Sequence, residues 1–155
     1  MNLPHHLRAA LEAALPQLKQ NPDRLLMFIE AGGLTGASLK TLSFRYRYTL
    51  TLVFVDFSGH MDEIMVPLLA WLQQYQPDLI QNGTAMAEKL KFEAELTSHN
   101  QCDIELRIPL NEGVTVTQKD GNTIAQHLDS VNGTNASITI NQLLLNGEIV
   151  SGQPD

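Results

Sequence analysis

One cysteine, Cys102, rules out any internal disulfide, and it stands among Ile104, Leu106 and Ile108 like an ordinary core residue. At 155 residues the chain can bury about two thirds of its unfolded surface as one domain, so no covalent or metal staple is needed. Basic side chains are also scarce. Ten Lys and Arg against seventeen Asp and Glu leave a formal charge of -7, which works against general affinity for nucleic-acid backbones or anionic lipid. No apolar run approaches the length of a membrane-spanning helix, and MNLPHHLRAALEAAL lacks the basic start and apolar stretch of a signal peptide. The expectation is a chain that is cytosolic when made, in a reducing compartment, with no specific nucleic-acid binding and no membrane. The sequons beginning at Asn82, Asn132 and Asn135 then mean only polar loop composition.

What is present is periodicity. Leu3, Leu7, Leu11, Leu15 and Leu18 recur at helical spacing, with the regular helix ending near Leu15 and a looser turn carrying Pro16 to Asn21. Leu25 to Glu30 reads as a short buried strand and EAGGLTGASLK as a turn. From Phe44 to Phe57 strict alternation puts Phe44, Tyr46, Tyr48, Leu50, Leu52 and Phe54 on one face and Arg45, Arg47, Thr49 and Thr51 on the other. The polar face turns apolar at Val53 and Val55, which implies cover on both faces at the end of that strand. Met61, Ile64, Met65, Leu68, Leu72 and Tyr75 mark a second helix, kinked at Pro67 or starting its regular part there, and ended by Pro77.

Two strands follow, joined by the short SHNQ link of an antiparallel hairpin, with Leu90, Phe92, Ala94 and Leu96 inward on one and Cys102, Ile104, Leu106, Ile108 and Leu110 inward on the other. Their outward faces carry Lys89, Lys91, Glu93 and Glu95, then Asp103, Glu105 and Arg107, an arrangement in which opposite charges can pair across the ladder. Beyond Asn111, VTVTQ and ITINQLLLNGEIV look like strands, and the polar QKDGNTIAQHLDSVNGTNAS between them reads as turns in a mobile arm. The fold class is α+β, a mixed but mainly antiparallel sheet with an N-terminal helix and a second helix packed on it.

Candidate chemistry is thin. Asp56, Ser58 and His60 supply the residue types of a hydrolytic triad, but a triad converges from separate elements and neighbours in one turn do not, so turn formation and helix capping explain them better. GGLTG lacks the spacing of a phosphate loop and precedes a strand, as a hairpin loop does. His99 and Cys102 have metal-like spacing, yet His5, His6, His60 and His127 form no second cluster. Trp71 and Tyr75, four apart, suit core packing better than a contact patch. No catalytic, cofactor-binding or metal residue is assigned.

The segments LPQLKQNPDRLLMFIEAGGL, LSFRYRYTLTLVFVDFSGH and MVPLLAWLQQYQPDL, in that order, resemble the tail completion protein R family of temperate contractile-tailed phages and prophages. The resemblance spans about Leu7 to Asn111, IELRIPLNE resembling the family's closing strand, and it stops by Val114. It implies a tail completion domain over residues 1–114 with a tail-terminator-type fold, followed by a partly mobile extension over 115–155. It implies no enzyme and no cofactor. The implied work is structural: completing the head-proximal end of a phage tail in the host cytoplasm and the virion, and making it competent for head-tail joining, as terminator or as connector. Implied partners are tail tube, neck or head-completion proteins and other copies of the chain, six to a ring on a sixfold tail. Arg45, Arg47, Lys89, Lys91, Glu93, Glu95, Asp103, Glu105 and Arg107 are the candidate contacts to neighbouring subunits or tail tube. The pattern alone fits equally a small cytosolic ligand-binding module or enzyme on an α+β fold, whose mark is an apolar pocket with convergent polar groups.

Overall fold

Five leucines decide where the N-terminal segment lies. The computed structural model describes residues 1–128, 142–145 and 148–152. In it Leu3, Leu7 and Leu11 line the buried stripe of helix α1 (Leu3–Ala14), and Leu15 and Leu18 continue the stripe beyond it. Pro16 does not loosen the chain. It opens a second short helix, α2 (Pro16–Gln20), because at a first helical position its missing N–H removes a donor that has no partner anyway.

A 3₁₀ turn, Pro22–Arg24, leads into β1 (Leu25–Thr35), which pairs antiparallel with β2 (Phe44–Phe57). The glycines of EAGGLTG do not end β1. They form a bulge between Glu30 and Gly33, with Ala31 at φ 51°, and the chain turns back only after Gly36 at φ 96°. Nor is β1 buried as expected: of its side chains Leu25 is covered, while Leu26, Phe28 and Ile29 are exposed because β1 is a sheet edge.

Helix α3 (Asp62–Tyr75) runs unbroken through Pro67 from its acidic first turn. Its N-cap is Met61 with no side-chain bond, so neither Asp56 nor Ser58 caps it. Asp56 instead sits at φ 52° in an irregularity of β2, its N–H donating to Asp103 Oδ1 at 2.9 Å and its carboxylate 3.7 Å from Arg24. Two short helices, α4 (Pro77–Ile80) and α5 (Gly83–Lys89), were not legible as elements, although Asn82 caps α5 by accepting from the N–H groups of Thr84 and Ala85.

Strands β3 (Lys91–Leu96) and β4 (Cys102–Lys119) form the expected hairpin and complete the order β1-β2-β4-β3. β4 does not break at Val114. It runs on to Lys119, and Asp120–Gly121, both at positive φ, fold β5 (Asn122–His127) back on it where only polar turns were expected. Within ITINQLLLNGEIV, read as strand, β6 (Gln142–Leu145) and β7 (Glu148–Gly152) pair with each other. Residues 129–141 of the expected arm, with the sequons at Asn132 and Asn135, lie outside the described residues. Every described strand pairing is antiparallel, in an α+β fold.

The core lies on one face of the sheet. Tyr48, Leu50, Leu52 and Phe54 of β2 and Ile104, Leu106, Ile108 and Leu110 of β4 meet the leucine stripe of α1 and Ile64, Leu68, Trp71 and Leu72 of α3. β3 stays outside this core. Phe92 and Leu96, expected inward, are 57% and 83% exposed because no helix reaches under the edge strand.

Two polar devices fix the helices. Glu112 continues the inward alternation of β4 and is fully buried, its carboxylate accepting from the N–H groups of Asn2 at 2.7 Å and Leu3 at 3.0 Å and from the Tyr48 hydroxyl at 2.6 Å. It replaces the side-chain cap that α1 lacks and puts a carboxylate at the positive end of the helix. His6 of α1 accepts from Trp71 Nε1 at 2.9 Å and lies 3.3 Å from the Tyr75 hydroxyl, which ties α1 to α3. Trp71 is therefore core, with its one donor satisfied.

Replacing Glu112 by Ala leaves three donors without their acceptor, and an urea titration is expected to show a loss of about 3 kcal/mol. Glu63 behaves differently. Burial raises its pKa above the ordinary 4.5, His60 opposing the shift, and a Cβ at Gly59 would run into its carboxylate. Its contribution to stability is thus fully present below about 4.5 and is lost as pH rises through the elevated value. Glu63→Gln is expected to melt higher than the wild type at pH 7, with the difference shrinking as pH falls through the elevated value and gone below about 4.5.

Candidate assembly surface

Strand parity places eight of the nine candidate residues on the uncovered face: Arg45 and Arg47 on β2, Lys91, Glu93 and Glu95 on β3, and Asp103, Glu105 and Arg107 on β4. Lys89 is the exception, since it ends α5 before β3 begins. Of the outward residues toward the end of β2, Val53 is half-buried between Leu26 and Glu105, Val55 is half-buried, and Thr51 is buried between Phe28 and Arg107.

The register divides this face. Glu93 lies directly opposite Glu105, Glu95 opposite Asp103 and Lys91 opposite Arg107, so the ladder sets like charges against each other where opposite charges were expected. Such pairs are destabilising. The compensation comes from Arg107, which reaches Glu105 along its own strand at 2.9 Å and Glu93 diagonally across the ladder at 4.0 Å. Asp103 is engaged by the Asp56 N–H, which leaves Glu95 without a cation among the described residues.

At the other end Arg45, Arg47 and Lys89 share the lining of an open depression of about 790 Å³ between the outer face and the wall raised by α4 and the end of α3. Its build follows from local chemistry. Pro109 has no N–H to offer a strand and stands just beyond Arg107, where β3 pairing begins. Two residues on, the buried Gln76 side chain fills the gap, donating to the Asn111 carbonyl at 2.9 Å and accepting from the Asn111 N–H at 3.2 Å. The amide thus takes the place of a strand and holds α3 against β4. Asn111 Oδ1 in turn accepts from Arg45, whose guanidinium lies against Gly113. Arg47 is exposed between Gly33 and Asn111, and a Cβ at Gly33 would meet nothing within 4 Å, so the β1 side of the basin stands open. Arg47 and Lys89 enter no ion pair among the described residues. Gln76 and Asn111 were not read as site residues, and only the broken strand pattern at Pro109 hints at them.

Among the described residues no group of three or more His, Cys, Asp and Glu is placed to hold a metal. The Cys102 thiol lies 3.7 Å from the Phe57 carbonyl, at the rim of the core. Ser58 and His60 make no triad with Asp56, whose carboxylate faces Arg24. No described helix is long and apolar enough to cross a membrane.

Arg107 is the one cation set among Glu93 and Glu105. Arg107→Gln is expected to cost about 1 kcal/mol and to speed hydrogen exchange of the β3 amides, whereas Arg47→Gln leaves both within error.

The family described as P2 phage tail completion protein R (GpR) matches residues 1–131. The Tail completion protein R of Escherichia phage P2 is 33% identical over 148 residues, covering 96% of this chain and 96% of that protein. The likeness therefore continues past Val114, where the motifs alone placed its end, and takes in the β4–β5 hairpin. No solved structure matches the chain.

Proposed function

The chain belongs to the P2 phage tail completion protein R family and serves in completing a phage tail, and on that premise we propose that it acts as a ring of copies on the head-proximal end of the tail. The observation that carries the role is the match over nearly the full length of both proteins. What supports the ring is the one-sided sheet: the face away from α1 and α3 carries Arg45, Arg47, Lys91, Glu93, Glu95, Asp103, Glu105 and Arg107, and among the described residues no helix packs over them. Lys89 adds to it from α5.

In this reading the chain makes surfaces and catalyses nothing. Its neighbours are tail tube, neck or head-completion proteins, it assembles in the host cytoplasm, and it remains in the virion tail. Sixfold symmetry of the tail sets the number of copies at six, and head-to-tail contacts close such a ring. The region from residue 115 onward serves as an arm, built on the exposed β4–β5 ribbon that projects past the core. An acidic lumen lets DNA pass without adhering, consistent with the net charge of -7.

Electron microscopy of an induced lysate from a prophage lacking this gene tests the role. Free full heads beside detached tails are the expected result, with over-long tails marking a terminator and tails of normal length a connector. Intact infectious virions would overturn the reading.

A further inference from the structure

Along β4 the two charged ends of the outer face stand too far apart to neutralise each other within one molecule, and Lys89, four residues before Glu93, makes no ion pair among the described residues. At about 3.3 Å of rise per residue, Glu105 stands about 20 Å along β4 from Asn111, which floors the Arg45–Arg47–Lys89 basin, and Asp103 and Glu95 lie farther still. That separation exceeds twice the screening length of about 8 Å at physiological salt. Each end is instead left with a net charge of one sign, the acidic end in spite of Lys91 and Arg107 on the same face. At the acidic end the register forces Glu93 against Glu105 and Glu95 against Asp103, with Arg107 as the one ion-paired cation there among the described residues. At the basic end Arg47 and Lys89 make no ion pair among the described residues, and Asp78 is the single acidic residue in the lining.

β3 is also unfinished in a second sense. It is exposed on both faces, with Phe92 and Leu96 uncovered, and its free edge ends the sheet. An edge strand of this kind is a template for a partner unless something blocks it, and here acidic side chains give the partner a required charge. The basin supplies that charge, and beside it Gly33 leaves Arg47 accessible from the β1 edge.

We propose that β3 of one copy docks at the Arg45–Arg47–Lys89 basin of the next, placing Glu93 and Glu95 against Arg47 and Lys89. The inference rests on the ring reading above, for which it names the contact. Because the two patches are different surfaces of one chain, the contact is head-to-tail and repeats until a ring closes. The occupant of the basin is thus a second copy of this chain, matched by opposite charge.

The test is gene replacement in the prophage, scored by infectious titre and by tail morphology. Arg47→Glu with Lys89→Glu, and separately Glu93→Lys with Glu95→Lys, are each expected to lower the titre by about 100-fold or more, as like charges meet at the joint. All four changes in one chain restore opposite charges across it and are expected to return the titre to within about 10-fold of wild type. The β3 variant places Lys against Glu105 and Asp103, relieving the repulsion across the ladder while losing the Arg107–Glu93 contact, and an unchanged melting temperature is expected to separate lost assembly from failed folding. For the basin, Arg47→Gln with Lys89→Gln is the milder variant, expected to give a smaller loss with an unchanged melting temperature. Reversals that assemble like the wild type would overturn the proposal, as would a four-fold variant no better than either pair, which would assign the basin to another tail protein. If deleting the gene leaves virions infectious, the tail-completion reading itself falls; if deletion blocks assembly while the reversals do not, this contact alone is refuted.

Discussion

The Glu112 carboxylate, buried on the inner face of β4, decides which side of the sheet is covered. By accepting from the first N–H groups of α1 and from Tyr48 it fixes the start of that helix over β2 and β4, and the leucine stripe does the rest. His6 then carries the constraint to α3 through Trp71. With both long helices on one face, the other face is left without a helical layer among the described residues.

What that face presents follows from register. A hairpin with Glu93 opposite Glu105 and Glu95 opposite Asp103 is locally unfavourable, and a monomer selected only for stability would gain by exchanging one member of each pair. Retained like charges on an exposed edge make sense as a demand for an external cation. The basin, meanwhile, is built by backbone geometry at the end of the pairing: Pro109 ends it, Gln76 replaces it, and glycines flank the arginines. Assembly proteins need such surfaces more than pockets, and membership in the tail completion family agrees with a chain whose chemistry is nearly all in its faces.

Periodicity made the two long helices, the strand from Phe44 to Phe57 and the β3–β4 hairpin legible, because each buries one stripe and repeats with the geometry of its backbone. The leucines of α1 are all buried and the outward charges do share a face. What stayed hidden depends on contacts between distant segments. Glu112 looks like a surface residue until the N-terminus of α1 arrives more than a hundred positions away, and Phe92 and Leu96 look inward until the helices prove too short to reach them. Register has the same character, since alternation tells which face a charge is on and says nothing of what stands opposite. The β4–β5 turn is a different lesson: Asp120–Gly121 is a strong hairpin signal, outweighed in the reading by the polar residues around it.

The central claim is that the sheet face opposite α1 and α3 is buried between copies in the finished tail. Cryo-electron microscopy of the head-proximal end of intact virions tests it most directly. The expected density shows neighbouring copies meeting through the outer face of β1, β2, β4 and β3, with α1 and α3 turned away from the contact. Copies joined through α1 and α3, with Arg47 and Glu93 open to solvent, would contradict it.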